Sequence, residues 1–166
     1  DAMIEALDIL LEDAMNDKAL TVEEIGEILG EADFAAHQSE AEDRYGDTDD
    51  WRESREHTAS WQTADWRDNA ERFHDVESSM IDAIRDGVAP DSKEAESLVE
   101  EHREALSEFF PVTPAKHYIM SRGYIHDERF RAHYDSQYVG FAQWLADAIE
   151  EVARRRGVDV DDVVWG

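Results

Sequence analysis

Two histidines stand where a helical core is normally apolar. Ala95, Leu98, Val99, His102, Leu106, Phe109 and Phe110 recur at steps of three and four, so they share one helix face, with His102 in its middle. Pro111 has no N–H to donate, and the spacing predicts that it ends this helix. Thr113 and Pro114 then open another, as N-cap and first helical residue. On this second helix His117, Met120 and Tyr124 lie close to one face. If the helices pair as a hairpin, both imidazoles look into one interior. Two uses compete for them. Each ring is a core histidine paired with backbone or carboxylate, or it orients polar groups in an otherwise apolar pocket.

Metal and cofactor chemistry finds little support. A di-iron helical bundle needs Glu-x-x-His on two helices. Glu71-Arg72-Phe73-His74 alone has that spacing, and Phe73 lies on a buried stripe, so His74 faces away. Nothing independent supports a haem on His102 or His117. Nucleophile elbows, phosphate loops and zinc-protease helices are absent. The expectation is no metal, no cofactor and no enzyme.

Composition narrows the partners. The chain has 42 Asp and Glu against 16 Lys and Arg, a formal charge of -26. Such a surface repels phosphate backbones and anionic membranes. The chain has no cysteine, which excludes disulfides, thiolate metal sites and a cysteine nucleophile and suits the cytoplasm. No apolar run reaches the roughly 20 residues that span a bilayer, and no signal peptide is visible. A start at Asp1 rather than Met suggests a fragment or processed chain. The 166 residues suit one domain. High charge also marks disorder, but five Trp, six Phe and repeated helical spacing argue for a fold.

Helices must therefore position the rings. Residues 1–17 carry a heptad-like stripe through Ile4, Leu7, Leu11, Ala14 and Met15. Thr21 to Glu24 is a capping box, and Gly30 ends that short helix. Phe34 to Arg44 is acidic with few large apolar groups, so weak stability and mobility are expected. Gly46 stops one helix and Thr48 caps the next. Trp51, Ser54, Thr58 and Trp61 then share a face. This is close helix packing, or a notch floored by Ser54 and Thr58 and walled by Trp51. Thr63 caps a helix whose stripe is Trp66, Ala70, Phe73, Glu77, Met80, Ile81 and Ile84, ended by Gly87. Asp127 caps a last long helix, with a stripe from Phe130 through Tyr134, Tyr138, Phe141 and Leu145 to Val152. Gly140 sits inside it, and close helix approach would explain a residue costing about 1 kcal/mol relative to Ala. Arg154 to Arg156 complement the helix dipole. The tail from Val158 packs back as a short helix or an extended arm. No strand pattern appears, so the class is all-α with about seven or eight helices.

In order, Tyr45-Gly46-Asp47-Thr48, Trp51, Ser54, Thr58-Ala59-Ser60-Trp61, Trp66, Gly87-Val88-Ala89-Pro90-Asp91-Ser92 and Glu101-His102-Arg103 resemble the TipAS antibiotic-recognition domain family. The likeness continues through Phe110, His117, Tyr124, Asp127-Glu128-Arg129-Phe130, Tyr134 and Gly140, and covers most of residues 40–152. The resemblance implies a globin-like, drug-sensing effector domain of a MerR-type transcription regulator, preceded by the end of a coiled-coil linker helix. It divides the chain into a dimerisation-linker end at 1–17, a mobile helical lid at 18–44, a ligand-binding domain at 45–155 and a tail at 156–166. DNA would be bound only through an N-terminal domain missing from this chain, and a homodimer would form through the linker. Trp51, Phe109, Tyr124 and Phe130 would supply apolar and stacking surface. Ser54, Thr58, His102 and His117 would orient polar groups. Family members that capture thiopeptides covalently do so through a cysteine in the turn before the position of His117. Here Val112 takes that place, which leaves reversible binding of a bulky, partly aromatic or peptide-antibiotic-like compound. A stand-alone drug-sequestering protein and a helical dimerisation module without a ligand are the alternatives.

Overall fold

The computed structural model describes residues 20–29 and 34–165. The heptad stretch 1–17 and the stop signal Gly30 lie outside the described residues. Among the described residues the chain is all-α, without strands. Its eight helices are α1 (Val22–Leu29), α2 (Phe34–Tyr45), α3 (Asp49–Thr58), α4 (Thr63–Arg85), α5 (Lys93–Leu106), α6 (Pro114–His126), α7 (Glu128–Asp135) and α8 (Phe141–Arg155). They form two compact units. The first comprises Asp1–Arg72 with Glu108–Pro111, the second Phe73–Ser107 with Val112–Gly166.

In the first unit, short polar residues fix the helix starts. Thr21 Oγ1 accepts the Glu24 N–H at 3.2 Å and donates to Glu24 Oε1 at 3.1 Å. This satisfies one of the free amides of the α1 start. α1 packs on α2. Gly46 follows α2 because a Cβ there would lie 2.5 Å from the Glu42 carbonyl oxygen. Thr48 then caps α3, its Oγ1 accepting the Trp51 N–H at 3.2 Å. Thr63, expected as the cap of α4, is its first residue instead. The nearby Asp65 carboxylate accepts the Gln62 N–H at 2.9 Å.

The second unit is built on α8. Phe141, Leu145, Ala148 and Ile149 are at most 1 % exposed and pack among Met80, Val99, Tyr118 and Tyr134. Burying each large apolar side chain contributes about 1.5–3 kcal/mol. α8 packs on α5, α6 and α7, most extensively on α6. Ser92 and Thr113 cap α5 and α6, accepting the N–H groups of Ala95 at 3.1 Å and Lys116 at 3.2 Å. At the end of α4, Gly87 takes φ +77°. The Val88 N–H then reaches the Ala83 carbonyl and the Gly87 N–H the Ile84 carbonyl, which closes the helix.

Four expectations need correction. α5 does not run to Pro111 but ends at Leu106: the Ser107 N–H makes the last helical bond, to the Arg103 carbonyl, and the Ser107 Oγ accepts the Val112 N–H as the chain turns away. Phe109 and Phe110 therefore leave the His102 face. The long helix expected from Asp127 to Val152 is two helices. Gly140 stands before α8 at φ +86°, a left-handed conformation that disfavours side chains. A Cβ there would meet nothing within 4 Å, so close approach is not its reason. The terminal arginines do more than face solvent. Arg155 pairs with Glu96 at 3.2 Å and Arg156 with Glu100 at 3.0 Å, both on α5. The tail is neither helix nor arm. It forms turns that lay Val158, Val160 and Val163 on the core.

Candidate functional site

The hairpin of α5 and α6 brings the two imidazoles into contact. His102 Nδ1 and His117 Nε2 are 2.9 Å apart, and the rings stack with centroids 5.1 Å apart at 21°. Exposure is 0 % for His102 and 1 % for His117. Burial holds His102 at about 4, below its ordinary 6.5; the Glu77 charge opposes the shift and His133 adds to it. Burial, then His102 and Arg103, holds His117 well below 6.5 as well. Both rings are therefore neutral at pH 7, and one donates to the other. His102 Nε2 faces no hydrogen-bond partner. The edges of Phe73 and Tyr124 lie beside the ring, at centroid distances of 5.8 and 6.1 Å.

Polar groups from two further helices complete this core. The Tyr124 and Tyr134 hydroxyls are hydrogen-bonded, and burial raises both phenols well above 10. Glu77 of α4, 7 % exposed, meets His133 Nε2 at 3.2 Å and accepts from Gln137 Nε2 at 3.1 Å. Phe130 lies 5.9 Å from Tyr124, but is 49 % exposed. Four helices, α4 to α7, thus meet around a polar centre inside an apolar unit.

The turn after α5 is clamped at Val112, which is 2 % exposed. Its N–H donates to Ser107 Oγ at 3.2 Å, and its carbonyl accepts from Arg103 Nη1 at 2.9 Å. Glu100 holds the same guanidinium, with Arg103 Nε at 3.1 Å from Oε2, and Arg156 reaches Glu100 Oε1 at 3.0 Å.

Trp51, Ser54 and Thr58 are half-buried on α3 in the first unit. Thr58 Oγ1 donates to the Ser54 carbonyl at 2.9 Å, so its hydroxyl offers only lone pairs to anything else. Phe109 belongs to this unit too. Its ring lies tilted at 40° to those of Trp61 and Trp66, with centroids 5.4 and 6.1 Å away, and these two rings meet edge-on at 4.8 Å. Neighbouring Glu108 accepts from Asn69 Nδ2 at 2.6 Å and pairs with Arg72.

Of the candidate residues, the second unit joins His102, His117, Tyr124 and Phe130, with Val112 in the clamped turn. Trp51, Ser54, Thr58 and Phe109 lie in the first. Sequence reasoning did not single out Tyr134, Glu77 and His133 as one network, nor Trp61 and Trp66 as partners of Phe109. A signal existed for Glu77, a carboxylate on an otherwise apolar stripe. For His133 there was none, because its partner lies 56 residues away.

Residues 37–152 match the TipAS antibiotic-recognition domain. Over 131 residues the chain is 30% identical to the HTH-type transcriptional activator TipA of Streptomyces coelicolor, and equally to that of Streptomyces lividans. The aligned part is 78% of this chain and 52% of each relative, so the chain spans about half the length of the curated relatives it matches. The solved structure of Streptomyces lividans TipAS in complex with nosiheptide, a thiopeptide antibiotic, aligns at a TM-score of 0.74 and 29% identity. That alignment covers 84% of this chain and 98% of the other. The family model covers well over half of the chain, and the chain belongs to the TipAS antibiotic-recognition domain family.

Proposed function

We propose that this chain is the ligand-sensing part of a longer MerR-type transcription regulator and that it binds a bulky, partly aromatic, antibiotic-like compound reversibly. One observation carries the reading: the fit to a domain solved with a thiopeptide bound, over nearly that domain's full length. A chain without cysteine forms no thioether with its ligand, so capture is non-covalent. The charge of -26 disfavours DNA contact by these residues, so DNA contact is proposed for another part of the regulator. It also favours a neutral or cationic ligand.

The site residues belong to the proposal. Trp51, Ser54, Thr58 and Phe109 serve in the first unit, and His102, Val112, His117, Tyr124 and Phe130 in the second. The two imidazoles are buried and bonded to each other, so in this reading they meet polar groups of the ligand only when the second unit opens around them, and being neutral they place no charge against it. Residues 1–17 join two copies as a linker end, and α1 and α2 gain order when ligand binds. Transcription responds only if the compound binds two states of the regulator with different affinity.

The test is calorimetric titration of the chain with a panel of peptide and polyaromatic antibiotics that includes nosiheptide, followed by hydrogen exchange on each complex. A saturable one-to-one isotherm with slowed exchange in α1 and α2 is expected. Heat-silent titrations across the panel reject the reading. Binding without slowed exchange rejects the role of α1 and α2 alone.

A further inference from the structure

The first unit contains a buried donor with nothing to donate to. Trp66 is 7 % exposed, and its Nε1 has no hydrogen-bond partner. The other buried tryptophan is satisfied: Trp144 Nε1 donates to the Val88 carbonyl at 3.0 Å. About nine in ten buried polar groups are paired, so an unpaired indole N–H is an exception with a cause. Its neighbours are rings. Trp61 and Phe109 lie 4.8 and 6.1 Å away, 5.4 Å from each other, and both are half-buried. Their backing is fixed, because Glu108 beside Phe109 is tied to Asn69 and Arg72. His102 Nε2 lacks a partner too, but it lies on a 0 % exposed ring, whereas Trp66 is covered by rings that reach the surface.

We propose that Trp61, Trp66 and Phe109 form a recognition platform for a planar aromatic group carrying a hydrogen-bond acceptor, with Trp66 Nε1–H as the donor that meets the acceptor. The idea deepens, and rests on, the reading of the chain as a drug-binding domain. Aromatic faces favour a flat π partner in offset or edge geometry. An indole nitrogen donates and never accepts, so the partner atom is a carbonyl oxygen or an unprotonated ring nitrogen. Entry requires Trp61 or Phe109 to tilt outward. A ligand with a correctly placed acceptor satisfies Trp66, whereas one without it leaves the donor orphaned and is discriminated against.

The experiment follows the indole N–H resonance of Trp66 in the whole chain during separate titrations with quinoline-2-carboxamide and nosiheptide. The expected result is a downfield shift, the largest among the tryptophans. A second protein carries 3-benzothienylalanine at position 66, which keeps the bicyclic shape and replaces N–H by sulfur. It should keep or raise the thermal midpoint of the free chain, yet bind the shifting compound about tenfold more weakly, the worth of about one hydrogen bond. The proposal is overturned if neither compound moves the Trp66 signal. It is overturned equally if the free chain already shows a hydrogen-bonded signal, or an upfield, ligand-insensitive one marking an N–H held on the Trp61 ring face. Unchanged affinity of the sulfur variant does the same. A shift with the carboxamide but no nosiheptide binding keeps the platform and counts against the antibiotic reading. Tight nosiheptide binding with a still Trp66 signal does the reverse.

Discussion

At the residue scale, the buried imidazole pair makes stability depend on pH. His102 takes a proton near 6.5 when unfolded and near 4 when folded, because burial disfavours the cation. The depressed folded value means that its contribution is complete above about pH 6.5 and is lost as pH falls towards 4. His117 is shifted the same way. One unit is worth about 1.4 kcal/mol, so His102 alone lowers stability by roughly 2–3 kcal/mol between about pH 7.5 and 4.5. Urea unfolding across that range should show the loss, and His102→Gln should flatten it. An equally steep profile in the variant would place the effect elsewhere. The clamp at Val112 gives a second expectation. Arg103→Met removes the donor to the Val112 carbonyl, so amide exchange should quicken across residues 107–113 while α8 stays protected. Unchanged exchange there would mean that Ser107 and the caps suffice. That His102 and His117 face inward was legible from helical spacing. That they bond to each other was not, since spacing gives a face but no partner.

At the element scale, the breaks matter more than the helices. Caps at Thr48 and Thr113 were readable because a short hydroxyl before an apolar repeat has few other uses, whereas the cap at Ser92 was read only as part of a turn. The split between α7 and α8 was hidden, because Tyr134, Tyr138, Phe141 and Leu145 keep a 3.6-residue rhythm across a turn. Only the positive φ at Gly140 exposes it. Likewise Leu106 to Phe109 continues the rhythm of α5 past its real end, and residues 108–111 belong to the first unit rather than to the helix before them. Two glycines test this account. Gly140→Ala forces a side chain into a left-handed backbone and should cost about 1–2 kcal/mol. Gly123 is inside α6, where a Cβ meets nothing within 4 Å. Gly123→Ala should therefore stabilise by about 0.5–1 kcal/mol. Thermal or urea unfolding reports both, and equal effects of one sign would contradict the assignment.

At the scale of the whole molecule, charge and family membership meet. Forty-two acids against sixteen Lys and Arg produce self-repulsion. Raising sodium chloride from about 20 to about 200 mM should screen it and raise the thermal midpoint, with the gain largest at the lowest salt. A flat response would mean that pairs such as Arg155 with Glu96 already neutralise the field locally. The family was legible in the ordered series from Tyr45 to Gly140. The two-unit organisation was not, because the division falls inside α4, between Arg72 and Phe73, where no turn residue marks it. Native mass spectrometry against bulky, partly aromatic antibiotics, nosiheptide included, decides whether this cysteine-free member of the family recognises an antibiotic-like compound reversibly. A one-to-one complex with at least one of them is expected and, on denaturation, the mass of the chain alone. A folded chain that captures none of them, or one that keeps the added mass when unfolded, would contradict reversible recognition.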